Sequence, residues 1–371
     1  MRGLVFYGQS FFQASSRPFS HNRLSLKHPL ISDIIGCSTL SSCRKIARRD
    51  GATSSSDAQC PQEAKRLVFK IHCVRKSKND SLEPLGTKRK FWFTDDRGKH
   101  ILFKADDRRT GDDWAEKVSC ELCDLLGLPH IQYELAVESE DNVPGVICEN
   151  CAEPPTELVL GNVLLLARDP KYPFDQARKY KVRQHTVGAV RNIVKKLEVP
   201  PARWSNRLPS ETGNALDVFV GYIMLDAWIA NQDRHHENWG ALLTGKSLYL
   251  APTFDHAAAM ARNLTDEDRR ARLASRDRGY QIEAFVRRAA SAFYSTPSMK
   301  KPMTTFEAWH AFSSWSHAAE VWVDRLSTIT SEDITGIFEQ VPAERMSDVC
   351  RQFTIRLLLE NQRRICAGEK Q

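Results

Sequence analysis

The sequence predicts an α+β chain in two parts, an antiparallel-sheet N-terminal lobe carrying one helix and a helical C-terminal lobe. Two patterns carry this reading. Residues 66–105 hold short apolar or alternating runs separated by turn residues, and from position 216 onward apolar residues recur at helical spacing. A chain of 371 residues is long enough for two ordinary domains or one bilobal catalytic unit. Its 42% hydrophobic and 27% charged residues exclude collagen-like, disulfide-knot and wholly disordered chains.

The first stretch, residues 1–62, stands apart. Its first 49 residues carry eight Lys/Arg, nine Ser and a single acid, Asp33, which accounts for the whole net charge of +7. The remainder holds 45 basic and 45 acidic residues and is neutral. A surface that tracks nucleic-acid phosphates needs a basic surplus on the folded part, so nucleic acid is not expected as a partner. The Ser-rich basic composition resembles a transit peptide, but no amphipathic helical period supports it, and a disordered extension of a cytoplasmic protein is the preferred reading. No run approaches the roughly 20 apolar residues that cross a bilayer, so no membrane partner is expected. Val163–Ala167, among the longest apolar runs, suits a buried strand.

Residues 63–150 read as the strand-rich lobe. RLVFKIHCV, RKFWFTD and HILFKA are strands, the last two joined by a tight turn, DDRGK, containing Gly98. A helix follows over 111–126, with Asp112 and Asp113 at its positive end and Gly127 and Pro129 to stop it. Further strands are expected at IQYELAV, GVICEN and LVLGNVLLLA. Residues 151–371 form the helical lobe: Leu216, Val220, Ile223, Ala227 and Ala230 mark one face of a long amphipathic helix, and 281–294, 304–328 and 343–367 carry the same period.

Two CxxC pairs, Cys120/Cys123 and Cys148/Cys151, superficially suit a four-thiolate zinc site. The first lies within WAEKVSCELCDLLGL at helical spacing and neither pair has a turn residue between its thiols, so small buried hydrophobes are expected instead of zinc ligands.

The chemistry concentrates in AWIANQDRHHENWGALLTGKSLYLAPTFDHA. Asp233 and Asn238 stand five apart on a loop, and a hairpin of two short strands leads to Asp255. Phosphoryl transfer needs a carboxylate to orient or receive the attacking hydroxyl and oxygen ligands for the Mg²⁺ on the phosphates. Asp233 is the candidate catalytic base, and Asn238 and Asp255 are the candidate metal ligands. The chemistry also requires a cation on a strand and an acid on the next helix to orient it. Lys104, closing the third strand, and Glu116, twelve residues on, satisfy that order, with Glu121 as the less favoured partner. EPLGTKRKFWF has a single glycine, Gly86, where the protein-kinase phosphate loop has three.

The protein-kinase catalytic loop has the same Asp-to-Asn interval, but here Arg234 and His235 follow the aspartate. The word Asn231-x-Asp-Arg-His-His-x-Asn-Trp-Gly240, a strand, and then Pro-x-Phe-Asp ending at Asp255 resemble the HipA-like kinases. Phosphatidylinositol kinases share a related loop and are the more distant resemblance. LGTKRKFWF and GVICENC also resemble segments of the HipA-like family. The resemblance runs from about Leu67 to the C-terminus. It implies a bilobal protein-kinase-like fold, ATP and Mg²⁺ as cofactors, phosphate contact by Gly86 and Lys88, and adenine against the backbone near Glu149. It further implies a Ser/Thr hydroxyl of a protein as acceptor. The additional N-terminal subdomain of the toxin members is not visible, so an antitoxin-like partner follows by analogy alone.

RDRGYQIEAFVRRAASAFY, within the helical part, is expected to serve ordinary helix packing. A nucleotide-binding regulator that holds ATP without transfer is the competing function, and a lipid kinase is the other.

Overall fold

A computed structural model describes residues 68–75, 81–82, 89–174 and 181–369, and the structural statements below concern these residues. The basic extension, Gly86 and Lys88 lie outside them.

Six strands form the first sheet: β1 (His72–Val74), β2 (Ser81–Leu82), β3 (Lys90–Thr94), β4 (His100–Ala105), β5 (Tyr133–Glu138) and β6 (Val143–Glu149). Their spatial order is β1-β5-β6-β4-β3-β2, which puts β4 inside the sheet with neighbours on both edges. The turn at Gly98 closes β3 onto β4 as its sequence requires. The glycine takes a φ of 78°, and the Asp95 carboxylate accepts the Arg97 and Lys99 amides. The expected all-antiparallel sheet is corrected at one edge. β1 pairs parallel with β5, because the long connection through the sheet and the helix returns β5 beside β1 in the same direction.

Helix α1 (Asp112–Leu126) covers the sheet, and glycines in the left-handed region bound it at both ends. Its two first-turn acids are buried ion-pair partners. Asp112 meets Arg262, and Asp113 meets Arg345 at 2.8 Å, while Arg345 also donates to the Ala136 carbonyl of β5. Those pairs tie the helix to distant parts of the chain.

LVLGNVLLLA departs from expectation. Only Glu157–Leu160 is a strand, β7, and Gly161–Arg168 is helix α2, so Val163–Ala167 is helical. A short apolar run has no period by which a buried strand and a buried helix differ. Here the helix starts without a side-chain cap, and its first two amides, of Gly161 and Asn162, donate to the Trp239 and His236 carbonyls. β7 joins β8 (Gly240–Thr244) and β9 (Ser247–Leu250) in an antiparallel three-stranded sheet, the latter two being the hairpin expected from the sequence.

Helices then dominate: α3 (Val187–Val194), α4 (Ala202–Ser205), α5 (Ala215–Trp228), α6 (Asp266–Ala274), α7 (Ile282–Val286), α8 (Thr305–Ser313), α9 (Ala318–Thr328), α10 (Ser331–Glu339) and α11 (Asp348–Cys366). The expected amphipathic helix is α5, yet it is wrapped on every side: each of its residues except Asp217 is buried. Trp228 reaches from it to the Leu358 carbonyl of α11, and Trp322 of α9 donates to the Asp217 carbonyl. The continuous helical patterns over 281–294 and 304–328 are also corrected. The first holds only the short α7 before turning into a backbone-paired segment, and the second breaks between α8 and α9. Among the described residues no helix is long and apolar enough to cross a membrane.

His185 shows how a buried polar group is placed by this packing. Its Nδ1 donates to the Ala292 carbonyl, its Nε2 accepts from Trp239 Nε1 at 3.1 Å, and its ring stacks on Phe293. Burial holds the imidazole at about 4, against the smaller upward pull of the Ala292 carbonyl. Between the unfolded value of 6.5 and about 4, the unfolded chain binds a proton that the folded chain refuses. Stability is therefore complete above 6.5 and falls as pH drops through that window, by roughly 3 kcal/mol from this group. Urea denaturation across the window should show His185→Gln losing less stability than wild type on acidification. Equal acid sensitivity of the two proteins would contradict the assignment.

Candidate active site

Lys104 is the fifth residue of β4, with Lys90 of β3 and Val146 of β6 opposite it. Its side chain is 11% exposed, and a cation so buried needs partners. It has three: Glu116 Oε1 at 3.3 Å, Tyr133 Oη at 3.0 Å and Asp255 Oδ1 at 3.9 Å. Burial alone would pull the ammonium down, but the Asp255 and Glu116 carboxylates reverse it and hold the group above its ordinary value. Burial pushes the Glu116 carboxyl upward, with Lys104 opposing. Glu116 is 1% exposed, and its second oxygen accepts the His256 amide, so one carboxylate joins α1, β4 and the segment after β9.

Glu121 pairs instead with Lys117 along the helix at 2.7 Å, so the acid one turn into α1 is the one that reaches Lys104. Asp255 sits at a φ of 60°, left-handed for a non-glycine residue, with its carboxylate partly exposed. The surrounding contacts fix this turn. Thr253 exchanges backbone hydrogen bonds with Pro129 and Ile131, and its hydroxyl meets His256 Nε2.

Asp233 and Asn238 occupy one loop. Asn238 Nδ2 donates to the Asp233 carbonyl at 2.7 Å, and the Asp233 amide is held by Asn231 Oδ1. The Asp233 side chain is 43% exposed whereas Asn238 is buried. Because the NH₂ end of Asn238 is used by the backbone, its oxygen is the end available to a cation. Asn238 and Asp255 thus offer hard oxygen donors, the set that suits Mg²⁺.

The residues that hold this loop were missed from the sequence. Arg234 is 1% exposed and bonds Asp226 of α5 through two parallel contacts, Nε to Oδ2 at 2.7 Å and Nη2 to Oδ1 at 2.8 Å, while Nη1 donates to the Asn238 carbonyl. Asp226 also accepts from Asn231 Nδ2. The overlooked signal was an acid inside an otherwise apolar helix. Its burial demanded a cation partner. Tyr133 gave no comparable signal, since an aromatic residue in a strand is ordinary core.

The structure thus brings together Lys104, Glu116 and Asp255 as one group and Asp233 with Asn238 as another, linked by the β8–β9 hairpin. Burial presses His256, beside Asp255, well below its ordinary value, and the Arg234 charge adds to that effect. Glu149 closes β6 opposite Ile101, with an exposed side chain paired to Lys99 at 2.6 Å, away from the Lys104 contacts. The thiols do not converge as a four-cysteine site. Burial above all pushes Cys148 and Cys151 up to about 12, against the opposing charges of Lys104 and Arg203.

With this geometry in view, comparison with solved structures gives a clear neighbour. The chain shares its fold with the Helicobacter pylori proinflammatory kinase CtkA. The match has a TM-score of 0.59 at 18% identity and covers 80% of this chain and 96% of that one. A chain of the Shewanella oneidensis toxin–antitoxin system of HipA, HipB and operator DNA matches at a TM-score of 0.42 and 12% identity over 78% of this chain and 66% of that one. No family model matches the sequence, and no curated protein matches it.

Removing one member of a buried ion pair strands the other, at a cost of about 3–5 kcal/mol. Asp226→Ala should therefore lower the stability measured by urea denaturation by an amount in that range. A loss under about 1 kcal/mol would show that Arg234 finds another partner and that the pair does not hold the loop.

Proposed function

We propose that this chain is an ATP- and Mg²⁺-dependent kinase of the HipA-like type, transferring the γ-phosphate to a Ser or Thr hydroxyl of a protein. In this reading residues 63–150 form a strand-rich lobe and 151–371 a helical lobe. The observation that carries it is the Lys104 ammonium on an inner strand, held by Glu116 of the following helix and within 3.9 Å of Asp255. Phosphoryl transfer is catalysed by positioning and charge, and this arrangement supplies both. The CtkA fold, a kinase by description, agrees with it.

Each residue then has a role that its surroundings suit. Lys104 is charged across the working pH range and presents a fixed cation to the α- and β-phosphates, oriented by Glu116. Asn238 and Asp255 hold Mg²⁺, which when bound offsets the negative charge of the phosphates. Asp233, the more exposed of the site's aspartates, orients the acceptor hydroxyl and takes its proton. The Asp226–Arg234 pair positions the loop without touching substrate. Gly86 and Lys88 cover the phosphates, and the backbone near Glu149 receives the adenine. A binder without transfer is the poorer reading, because such a protein has no use for the exposed Asp233 carboxylate beside Asn238.

The division of labour between the two aspartates is testable. Asp255→Ala removes a metal ligand, so calorimetry should record weakened Mg-ATP binding together with lost phosphoryl transfer. Asp233→Ala should keep Mg-ATP affinity within a few-fold and lose about 10²- to 10⁴-fold in transfer, measured by incorporation of label from γ-labelled ATP. Loss of nucleotide binding in Asp233→Ala with full transfer in Asp255→Ala would reverse the roles. Unchanged transfer in both would refute the kinase reading.

A further inference from the structure

Outside the candidate active site, the last turn of α1 carries a cluster that the proposed activity does not use. Cys120 and Asp124 lie one turn apart on the same helix face. Gly127, in the left-handed region, ends the helix, and the Leu128 amide bonds back to the Cys123 carbonyl, so the chain reverses at once and lays His130 over that turn. Among the described residues this is the one place where three His, Cys, Asp or Glu side chains converge, their donor atoms all within 4.8 Å of one another.

We propose that Cys120, Asp124 and His130 form a structural zinc site. The donor set is one thiol, one imidazole and one carboxylate, which suits Zn²⁺ and not the all-oxygen preference of Mg²⁺ or Ca²⁺. His130 Nε2 and Asp124 Oδ2 stand 3.6 Å apart, and bonds of about 2.0–2.2 Å in a tetrahedron need an edge of roughly 3.4 Å. Gln132 completes the set. Its Oε1 lies 3.1 Å from Cys120 Sγ, and its Nε2 lies 2.9 Å from His130 Nε2 and 3.3 Å from Asp124 Oδ2. The carboxamide therefore touches all three donors, and turning it gives its oxygen as the fourth ligand.

Both donors that must be aimed are aimed by an outer partner, as metal ligands usually are. His130 Nδ1 bonds the Leu128 carbonyl at 2.7 Å, which places a proton there and leaves Nε2 facing Asp124, where zinc would replace the proton that this histidine–carboxylate pair holds. Arg207 Nη1 takes Asp124 Oδ1 at 2.6 Å and leaves Oδ2 toward the histidine. Cys120 and His130 are buried, at 2% and 7% exposure, while Asp124 stays partly open and gives the ion a way in. Cys120 packs in the core as its sequence reading expects, and the proposal adds a ligand role to it, whereas Cys123, whose Sγ is no part of the cluster, has the packing role alone.

The position gives the ion a purpose. Pro129 and Ile131, on either side of His130, bond the backbone of Thr253, two residues before Asp255. Zinc would lock the end of α1 to the segment after β9 that presents Asp255. This inference stands apart from the kinase reading, since it concerns stability and metal content, not transfer.

The test uses the full chain, stripped with a chelator and titrated with Zn²⁺ and, separately, Co²⁺. Wild type should take up one equivalent of zinc with a rise in melting temperature, and Co²⁺ should give a thiolate charge-transfer band. Cys120→Ser should abolish the band and His130→Gln should weaken zinc by about 10²-fold or more, while Cys123→Ala keeps both band and affinity. Arg207→Ala, which spares the ligands, should weaken zinc on the order of 10-fold. If Cys120→Ser fails to fold, the wild-type band and the His130→Gln titration still decide. A wild type without the band, or a band that survives Cys120→Ser, would overturn the site.

Discussion

A buried ammonium between two carboxylates is the constraint on which the rest of this structure turns. Lys104 is nearly enclosed, and an ion moved out of water costs several kcal/mol unless geometry returns it. The return comes from three separate parts of the chain: Glu116 on α1, Tyr133 on β5 and Asp255 after β9. None of these can shift without exposing or orphaning a charge. The sheet, its covering helix and the Asp255 turn are thereby held in one register, and the His256 amide on Glu116 adds a backbone contact to the same carboxylate.

A second buried pair does for the loop what the first does for the sheet. Asp226 and Arg234 are 4% and 1% exposed, and their paired hydrogen bonds fasten the loop to the core helix α5. The backbone enters the loop through Ala230 at a φ of 52°, an unfavourable conformation that the surrounding bonds must enforce. Charges buried in this way add little net stability but narrow the arrangements the chain can adopt. That narrowness suits a site in which carboxylates must be held apart from one another yet near a common cation.

Much of this was legible in the sequence because local chemistry and global fold agree there. The Gly98 turn, the glycine-bounded α1 and the 240–250 hairpin each carry residues whose conformational preferences admit few alternatives. Lys104, Glu116 and Asp255 could be nominated from order and spacing alone. Residues 163–167 read as a strand and are helical, since an apolar run without polar interruptions has no face by which to tell the two apart. Tyr133 escaped because its partner lies 29 residues away and such pairing leaves no periodic trace, whereas Asp226 carried a legible signal, an acid among the apolar residues of its helix. The segment 281–294 has helical spacing but turns after α7, where tertiary pairing of Ala290 with Thr304 prevails over propensity.

The most direct test of the central claim is the transfer of label from γ-labelled ATP by the full chain with Lys104 replaced by Met, beside a Lys104→Arg control. Methionine keeps the volume of the stem and removes the charge, so transfer should fall by about 10²-fold or more, while arginine keeps the charge and retains part of the activity. Label transfer at the wild-type rate by Lys104→Met would contradict the account, because the cation around which the site is built would then have no part in the chemistry.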